Sequence, residues 1–252
     1  MNILLNGFYG RMGKEIRKLC DEEFPNITVK AGIDITCPEH GESDCACDFL
    51  HADADVECII DFSSPVCIKE LLKFALSNKL PLVIGTTGHG DNDVEQIISA
   101  SSQIPVFYSP NMSLGATLIS YIAKIVAGVM KDAEIEIVEK HHSKKEDAPS
   151  GTAKMLFSEL KKIRPDLYPV MGRNGSMKRK KNEIGIHSLR MGNLAGEHEI
   201  IFALPMETVY IRHEVHNRIP FAEGALRAAE FIYKKERGLY TMHDVIESEF
   251  KK

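Results

Sequence analysis

Residues 1–13 read M-N-I-L-L-N-G-F-Y-G-R-M-G, and the fold is decided there. Asn2 to Leu5 is a short apolar run of the kind that makes a buried strand. Gly7, Gly10 and Gly13 follow, and from Lys14 to Cys20 the residues Ile16, Leu19 and Cys20 share one helical face. Strand, glycine turn and helix in that order hold a dinucleotide. The first glycine makes the turn, the second admits the pyrophosphate, and the third lets helix pack on strand. The spacing is G-x-x-G-x-x-G rather than G-x-G-x-x-G, so a strand–turn–helix without a cofactor also fits the motif taken alone. The next strand, Thr28 to Ile33, favours the cofactor. It ends in Asp34, about twenty residues past the last glycine, where an acid holds a ribose hydroxyl.

Outward from this start the alternation continues. Val56 to Phe62 reads as a buried strand, followed by Ser63-Ser64-Pro65 and an amphipathic helix to about Ser77. Leu80 to Ile84 is a strand running into Gly85-Thr86-Thr87-Gly88, Asp91 to Ser101 a helix, and Pro105 to Tyr108 a strand ending in Ser109-Pro110-Asn111-Met112. Such an order predicts a parallel sheet with helices on both faces, and ligands bind at the C-terminal ends of its strands.

From Leu114 the pattern changes. A long helix carries Leu118, Tyr121, Ile122, Ile125, Val126 and Val129, and strands are expected at Glu134 to His141, Glu183 to Arg190, His198 to Leu204 and Thr208 to His216. Runs of strands after a βαβ half imply a second α+β domain with a mixed, largely antiparallel sheet. Helices are expected at Phe221 to Lys234 and Met242 to Phe250, the latter returning to the first domain. The division is therefore 1–112 with 228–252 for dinucleotide binding, and 113–227 for substrate binding and oligomerisation. Arg173 to Asn182 is too polar for a core and reads as a mobile loop, its basic cluster open to phosphate or simply solvated.

Chemistry concentrates in E-K-H-H-S-K-K-E-D-A-P-S-G-T-A-K-M, residues 139–155. Alternation over Ala133 to Val138 puts His141 at the C-terminal end of a strand. Ser150 is a plausible N-cap for a helix carrying Ala153, Leu156, Phe157, Leu160 and Ile163, with Pro165 as its stop. Amides of Gly151 and Thr152 would then face outward as an anion site, and Gly151 admits a ligand close to the backbone. Lysines, imidazoles and amides converging there suit a small carboxylated substrate with an acid beside it. The plainer reading is one core histidine, one surface histidine and a solvated loop.

The totals exclude several classes. With 36 acidic against 31 basic residues, nothing points to nucleic acid or an anionic membrane as partner. No apolar run approaches the ~18 residues of a membrane span, and Ile3-Leu4-Leu5 already belongs to the first strand, so no leader peptide is expected. Cys20, Cys58 and Cys67 sit within helix or strand patterns as reduced thiols do, which suits a cytoplasmic enzyme. Cys37 to Cys47, C-P-E-H-G-E-S-D-C-A-C, supplies enough ligands for zinc but matches no usual structural-zinc spacing. A surface loop is expected there, and no metal.

Taken together, E-x-H-H-x-x-K-x-D-A-P-S-G-T-A, G-x-x-G-R-M-G, I-D-F-S-S-P, G-T-T-G and F-A-x-G-A-L-R-A-A give a chain that resembles the 4-hydroxy-tetrahydrodipicolinate reductases over essentially its whole length. The resemblance implies a Rossmann-like domain for NADH or NADPH, a substrate domain that also builds a homotetramer, and reduction of a dicarboxylate on the diaminopimelate route to lysine. It also implies His141 as proton donor or acceptor, Lys145 as second catalytic group, and His142, Gly151 and Thr152 as holders of the substrate carboxylates. Cofactor contacts would come from Gly7, Phe8, Tyr9, Gly10, Arg11, Met12, Asp34, Gly85, Thr86, Thr87, Ser109, Pro110, Asn111 and Met112. Two departures bear on the cofactor. Ile35 and Ser64 stand where many or some members carry arginine, which tilts the choice towards NADH. Another Rossmann-type dehydrogenase would leave D-A-P-S-G-T unexplained. A non-catalytic nucleotide-binding redox sensor would leave His141 and Lys145 without purpose.

Overall fold

The computed structural model describes residues 1–37, 45–49, 52 and 55–250. Its first half runs β1 (Asn2–Asn6), α1 (Arg11–Glu22), β2 (Thr28–Ile33), β3 (Cys45–Ala46), β4 (Cys58–Asp61), a 3-10 turn at Pro65–Cys67, α2 (Ile68–Asn78), β5 (Leu82–Ile84), α3 (Asp91–Ala100) and β6 (Pro105–Tyr108). Then follow α4 (Leu114–Val129), β7 (Glu134–His141), α5 (Gly151–Ile163), β8 (Tyr168–Met171), β9 (Glu183–Arg190), β10 (Gly196–Leu204), β11 (Glu207–Val215), α6 (Ile219–Ile232), β12 (Gly238–Tyr240) and α7 (Met242–Phe250).

Two compact units result, Met1–Leu114 with Arg218–Lys252, and Gly115–Asn217. The expected boundary at 227/228 therefore moves back, because α6 belongs wholly to the first unit. Its alanines Ala222, Ala225 and Ala229 are fully buried against β1, β4 and β5. Gly224 sits so close to the chain at Met112 that a Cβ there would fall 1.8 Å from the Met112 carbonyl oxygen.

In the first unit the sheet order is β12-β6-β5-β4-β1-β2-β3, all parallel. Strand alternation splits β1 between two cores. Ile3 and Leu5 pack with Ile16, Leu19 and α6, while Leu4 packs with Ile59, Leu82 and the helices α2 and α3. Ligand-facing loops therefore leave the same edge of one twisted sheet.

The second unit has the order β11-β10-β7-β9-β8. Its sheet is mixed as expected, but two of the four junctions, β7–β9 and β8–β9, are parallel. The helix α5 between β7 and β8 carries the chain back across the sheet, which a run of bare strands would not do. One face is covered by Ala123 and Ala127 of α4 and by Ala153, Leu156 and Leu160 of α5. The bulkier α4 residues Leu118, Ile122, Ile125 and Val129 instead remain exposed.

The 173–182 loop is not the free segment its composition suggests. Arg173 pairs with Glu183, Arg179 pairs with Glu136 and donates to the Ile135 carbonyl at 3.0 Å, and Lys180 N donates to Glu183 at 3.0 Å. Carboxylates on β7 and β9 thus already occupy the two arginines. Of the Cys37–Cys47 stretch, residues 38–44 lie outside the described residues. All six cysteines are free thiols, and no group of three metal-ligating side chains occurs among the described residues. No helix among the described residues is long and apolar enough to cross a membrane.

Candidate active site

At the C-terminal edge of the first sheet, the turn after β1 needs its glycines. Gly7 has φ +88°, and a Cβ there would stand 2.4 Å from the Phe62 carbonyl oxygen. A Cβ on Gly13 would meet the Gly7 and Phe8 carbonyl oxygens at 2.3 and 2.5 Å, so helix and turn touch backbone to backbone. Gly10 is the N-cap of α1 and no side chain caps it, so the positive end of the helix is open to an anion. Asp34, just past β2, accepts from Tyr9 N at 2.8 Å and from Thr36 N and Oγ1 at 2.9 and 2.7 Å. Partial burial pushes its carboxyl up, yet these hydrogen bonds outweigh it and hold the group below its ordinary value.

Beside them is a cavity of about 420 Å³ lined by Gly7, Gly10, Asp34, Ile35, Ser64 and Glu70, among others. Asp34, Asp48 and Glu70 line it, and no lysine, arginine or histidine does among the described residues. Its position, its glycine rim and its acid suit the adenosine end of a pyridine nucleotide.

Other expected cofactor residues divide by environment. Arg11 is exposed at the helix start and Met12 half-buried behind it. Phe8 packs on Gly32 and carries Arg17 over its ring at 4.1 Å. Thr87 is exposed, but Thr86 is buried and donates to Asp61 at 2.6 Å. Asp61 also accepts from Asn6 Nδ2 at 2.7 Å and Ser63 Oγ at 2.6 Å, tying together the ends of β1, β4 and β5. Gly85 lies under the Phe62 ring, 2.3 Å from where a Cβ would stand. Ser109 donates to the Asn111 carbonyl at 2.7 Å, Asn111 Oδ1 accepts from Ser113 N, and Pro110 is exposed. Met112 is buried in the core, with its carbonyl against Gly224 of α6.

In the second unit, β7 puts Ile135, Ile137, Glu139 and His141 on its buried face. The apolar face of the strand thus ends in a carboxylate and an imidazole. His141 Nδ1 lies 2.5 Å from Glu139 Oε2. Arg190, the register partner of His141 on β9, grips Glu139 with both Nη atoms at 2.8 and 2.7 Å. Burial alone would raise the Glu139 carboxyl, but donors from Arg190, Ser188, His141 and Ser150 N bring it down to about 2. The His141 imidazole is pushed below its ordinary value by burial first, against the upward pull of Glu139.

Ser150 caps α5, accepting from Ala153 N at 3.2 Å. Its hydroxyl also lies 2.9 Å from His198 Nε2. Burial first, and then the neighbouring His141, hold His198 down to about 3, so it is neutral and shares a hydrogen bond with the Ser150 hydroxyl. Around Gly151 there is open space where a Cβ would stand, with nothing within 4 Å. Thr152 follows, half-buried in the first turn of α5. His142 Nδ1 is buried without a hydrogen-bond partner among the described residues. Lys145 pairs with Asp147 at 2.7 Å, while Lys144 is exposed.

Residues 1–112 match the family model for the N-terminal part of dihydrodipicolinate reductase, and residues 115–246 match that for its C-terminal part. The chain belongs to the dihydrodipicolinate reductase family. A 4-hydroxy-tetrahydrodipicolinate reductase of Clostridium novyi (strain NT) is 41% identical over 248 residues, 98% of each chain. That of Rickettsia bellii (strain OSU 85-389) is 41% identical over 244 residues, covering 97% of this chain and 94% of its own. In fold, the chain is similar to a dipicolinate-bound dihydrodipicolinate reductase from Paenisporosarcina sp. TG-14, with TM-score 0.78 and 23% identity over 96% of this chain and 97% of that one. Like other members of the dihydrodipicolinate reductase family, this chain uses a pyridine nucleotide.

The motif reading assigned no role to Glu139, Arg190, His198 or Asp61. Period-two alternation from Ile135 and Ile137 would have reached Glu139, since it shares their face. Arg190 and His198 arrive through strand register, which no local pattern reveals.

Proposed function

We propose that this chain reduces 4-hydroxy-tetrahydrodipicolinate to tetrahydrodipicolinate with loss of water, on the diaminopimelate route to lysine. The observation that carries the reading is the end of β7. There a buried imidazole rests on Glu139, beside the start of α5 and Lys145. When bound, the reduced nicotinamide supplies a hydride to a conjugated ring carbon. Negative charge then builds next to the imine, and His141 quenches it with a proton. Lys145, His142 and the α5 start at Gly151 and Thr152 hold the two carboxylates, cation and amide donors together. Exchange of Lys145 from Asp147 to a substrate carboxylate keeps its charge paired throughout.

Within this reading NADH is the preferred cofactor. A 2′-phosphate would enter a cavity bearing Asp34, Asp48 and Glu70, with Ile35 and Ser64 where an arginine could have stood. Arg11 is the remaining cation at the turn, so NADPH is tolerated. A homotetramer in the cytoplasm completes the proposal, built on the sheet face of the second unit turned away from α4 and α5. Tyr210 is exposed on that face.

The test is turnover with the condensation product of pyruvate and aspartate semialdehyde, using NADH and NADPH in parallel. A charge-assisted contact is worth about 1.5–3 kcal/mol, so kcat/KM should favour NADH by roughly tenfold. Absence of turnover with either nucleotide sinks the activity. Faster turnover with NADPH sinks the cofactor assignment alone.

A further inference from the structure

Glu139 is fully buried among donors that include both Arg190 Nη atoms, His141 Nδ1, and Ser150 N at 3.1 Å. An ionised carboxylate only accepts hydrogen bonds, so the hydrogen between it and His141 sits on Nδ1. That leaves Nε2 as the nitrogen able to exchange a proton with a ligand. On the Nε2 side stands Gly196, whose missing Cβ would lie 3.1 Å from that atom. The second Glu139 oxygen takes the amide of Ser150, the residue that caps α5 and sets where Gly151 and Thr152 point. One carboxylate therefore touches the acid on one side and the carboxylate-binding helix start on the other.

From this geometry we propose that Glu139, clamped by Arg190, is the positioning residue of the reaction. It fixes His141 with hydrogen on Nδ1, supports the imidazolium before proton transfer, and holds the α5 start in register with it. The proposal rests on His141 being the proton donor. In the step itself the Nε2–H bond breaks, its electron pair stays on Nε2, and the proton joins the substrate atom made electron-rich by hydride addition. The neutral imidazole that remains keeps Nδ1–H on Glu139. Arg190 touches neither party to the transfer. Its part is to keep Glu139 ionised and in place.

Charged and titratable groups around His141 act in opposite senses. Glu139 on its own strand raises its proton affinity, while Lys145 from the following loop and Arg190 from β9 lower it. The ring of His198 on β10 lies 5.2 Å from that of His141 and is neutral. Removing the carboxylate charge therefore leaves only lowering influences. In Glu139→Gln the alkaline limb of kcat/KM should move to lower pH, and kcat should fall by about tenfold or more. The KM for NADH should stay within about twofold.

Two further measurements separate this proposal from its foundation. Nitrogen-15 spectra of the wild-type imidazoles should show His141 as the Nδ1–H tautomer at neutral pH, and this needs no variant to fold. His141→Gln should lose about 10²–10³-fold in kcat. Full activity in His141→Gln overturns the assignment of the acid. Loss there, with an unmoved pH limb in Glu139→Gln, overturns the role of Glu139 alone. An Nε2–H tautomer for His141 in the wild-type spectrum overturns it as well.

Discussion

Asp61 and Glu139 are both buried carboxylates near strand ends, and each gathers hydrogen-bond donors from three neighbouring segments. Their carboxyls shift in opposite directions. Asp61 meets an amide and two hydroxyls, all neutral, so burial prevails and its carboxyl is pushed up. Glu139 meets a guanidinium as well, and its carboxyl falls to about 2. A full positive charge among the donors helps hold Glu139 ionised, and Asp61 has none. In the first unit the carboxylate works as a latch for loops. In the second the same device becomes part of the chemistry.

The sharpest way to break this contrast is to remove one donor from each. Arg190→Leu strands an ionised carboxylate in the interior, which costs about 3–5 kcal/mol. Asn6→Leu removes a neutral donor from Asp61 and should cost about 1–2 kcal/mol. Hydrogen exchange of β7 amides against β4 amides reads the two losses separately. Equal losses would mean that partner charge is not what distinguishes the sites.

Acidity sharpens it next. Glu139 lies below its ordinary value of 4.5, so its stabilisation is complete above that pH and drains away as pH falls through about 2. On the order of 3 kcal/mol is at stake. His198, held down to about 3 from 6.5 by burial and by His141, has the same sign, because the unfolded chain takes up its proton first. Asp61 has the opposite sign. Its carboxyl is raised above 3.8, so its contribution is greatest in acid and declines as pH rises through the folded value. Urea midpoints should therefore flatten between about pH 2 and about pH 5 in Glu139→Gln, and gain at neutral pH in Asp61→Asn. The same slope in both variants would contradict the assignment.

The smallest effect compares two glycines, one for each unit. Gly13→Ala drives a methyl into two carbonyl oxygens and should cost about 1–3 kcal/mol. Gly151→Ala meets nothing within 4 Å, so stability should stay within about 0.5 kcal/mol while substrate KM rises several-fold. A destabilised Gly151→Ala would make that glycine a requirement of the fold instead.

Much of this architecture was legible beforehand, because burial imposes period on sequence. Thr28–Ile33, Pro105–Tyr108, Glu134–His141 and Met242–Phe250 fall where alternation and helical spacing put them. Short edge strands escaped. β8 contains Pro169 and is mostly exposed, and β12 is three residues long, so neither carries an apolar pattern. The α4 stripe marked a true helix, though not its buried face. Close helix–sheet packing took its alanines and Ile119 inward and left Leu118, Ile122, Ile125 and Val129 exposed. At the site, His141 and Ser150 were readable from local order, while Arg190 and His198 depended on which strands lie side by side.

The interruption of the first unit by the second has a consequence for how the chain is made. When residue 114 leaves the ribosome, the first sheet has its strands through β6 but lacks α6, whose buried alanines and Leu226 cover Ile3, Leu5, Val83 and Phe107. About a hundred residues must be synthesised before that cover arrives, roughly 5–20 seconds at ordinary elongation rates. The second unit is continuous in sequence and has its own core, so it can close during the wait. A nascent chain in this interval carries an open apolar sheet face, a surface for a holdase to protect and for aggregation to exploit.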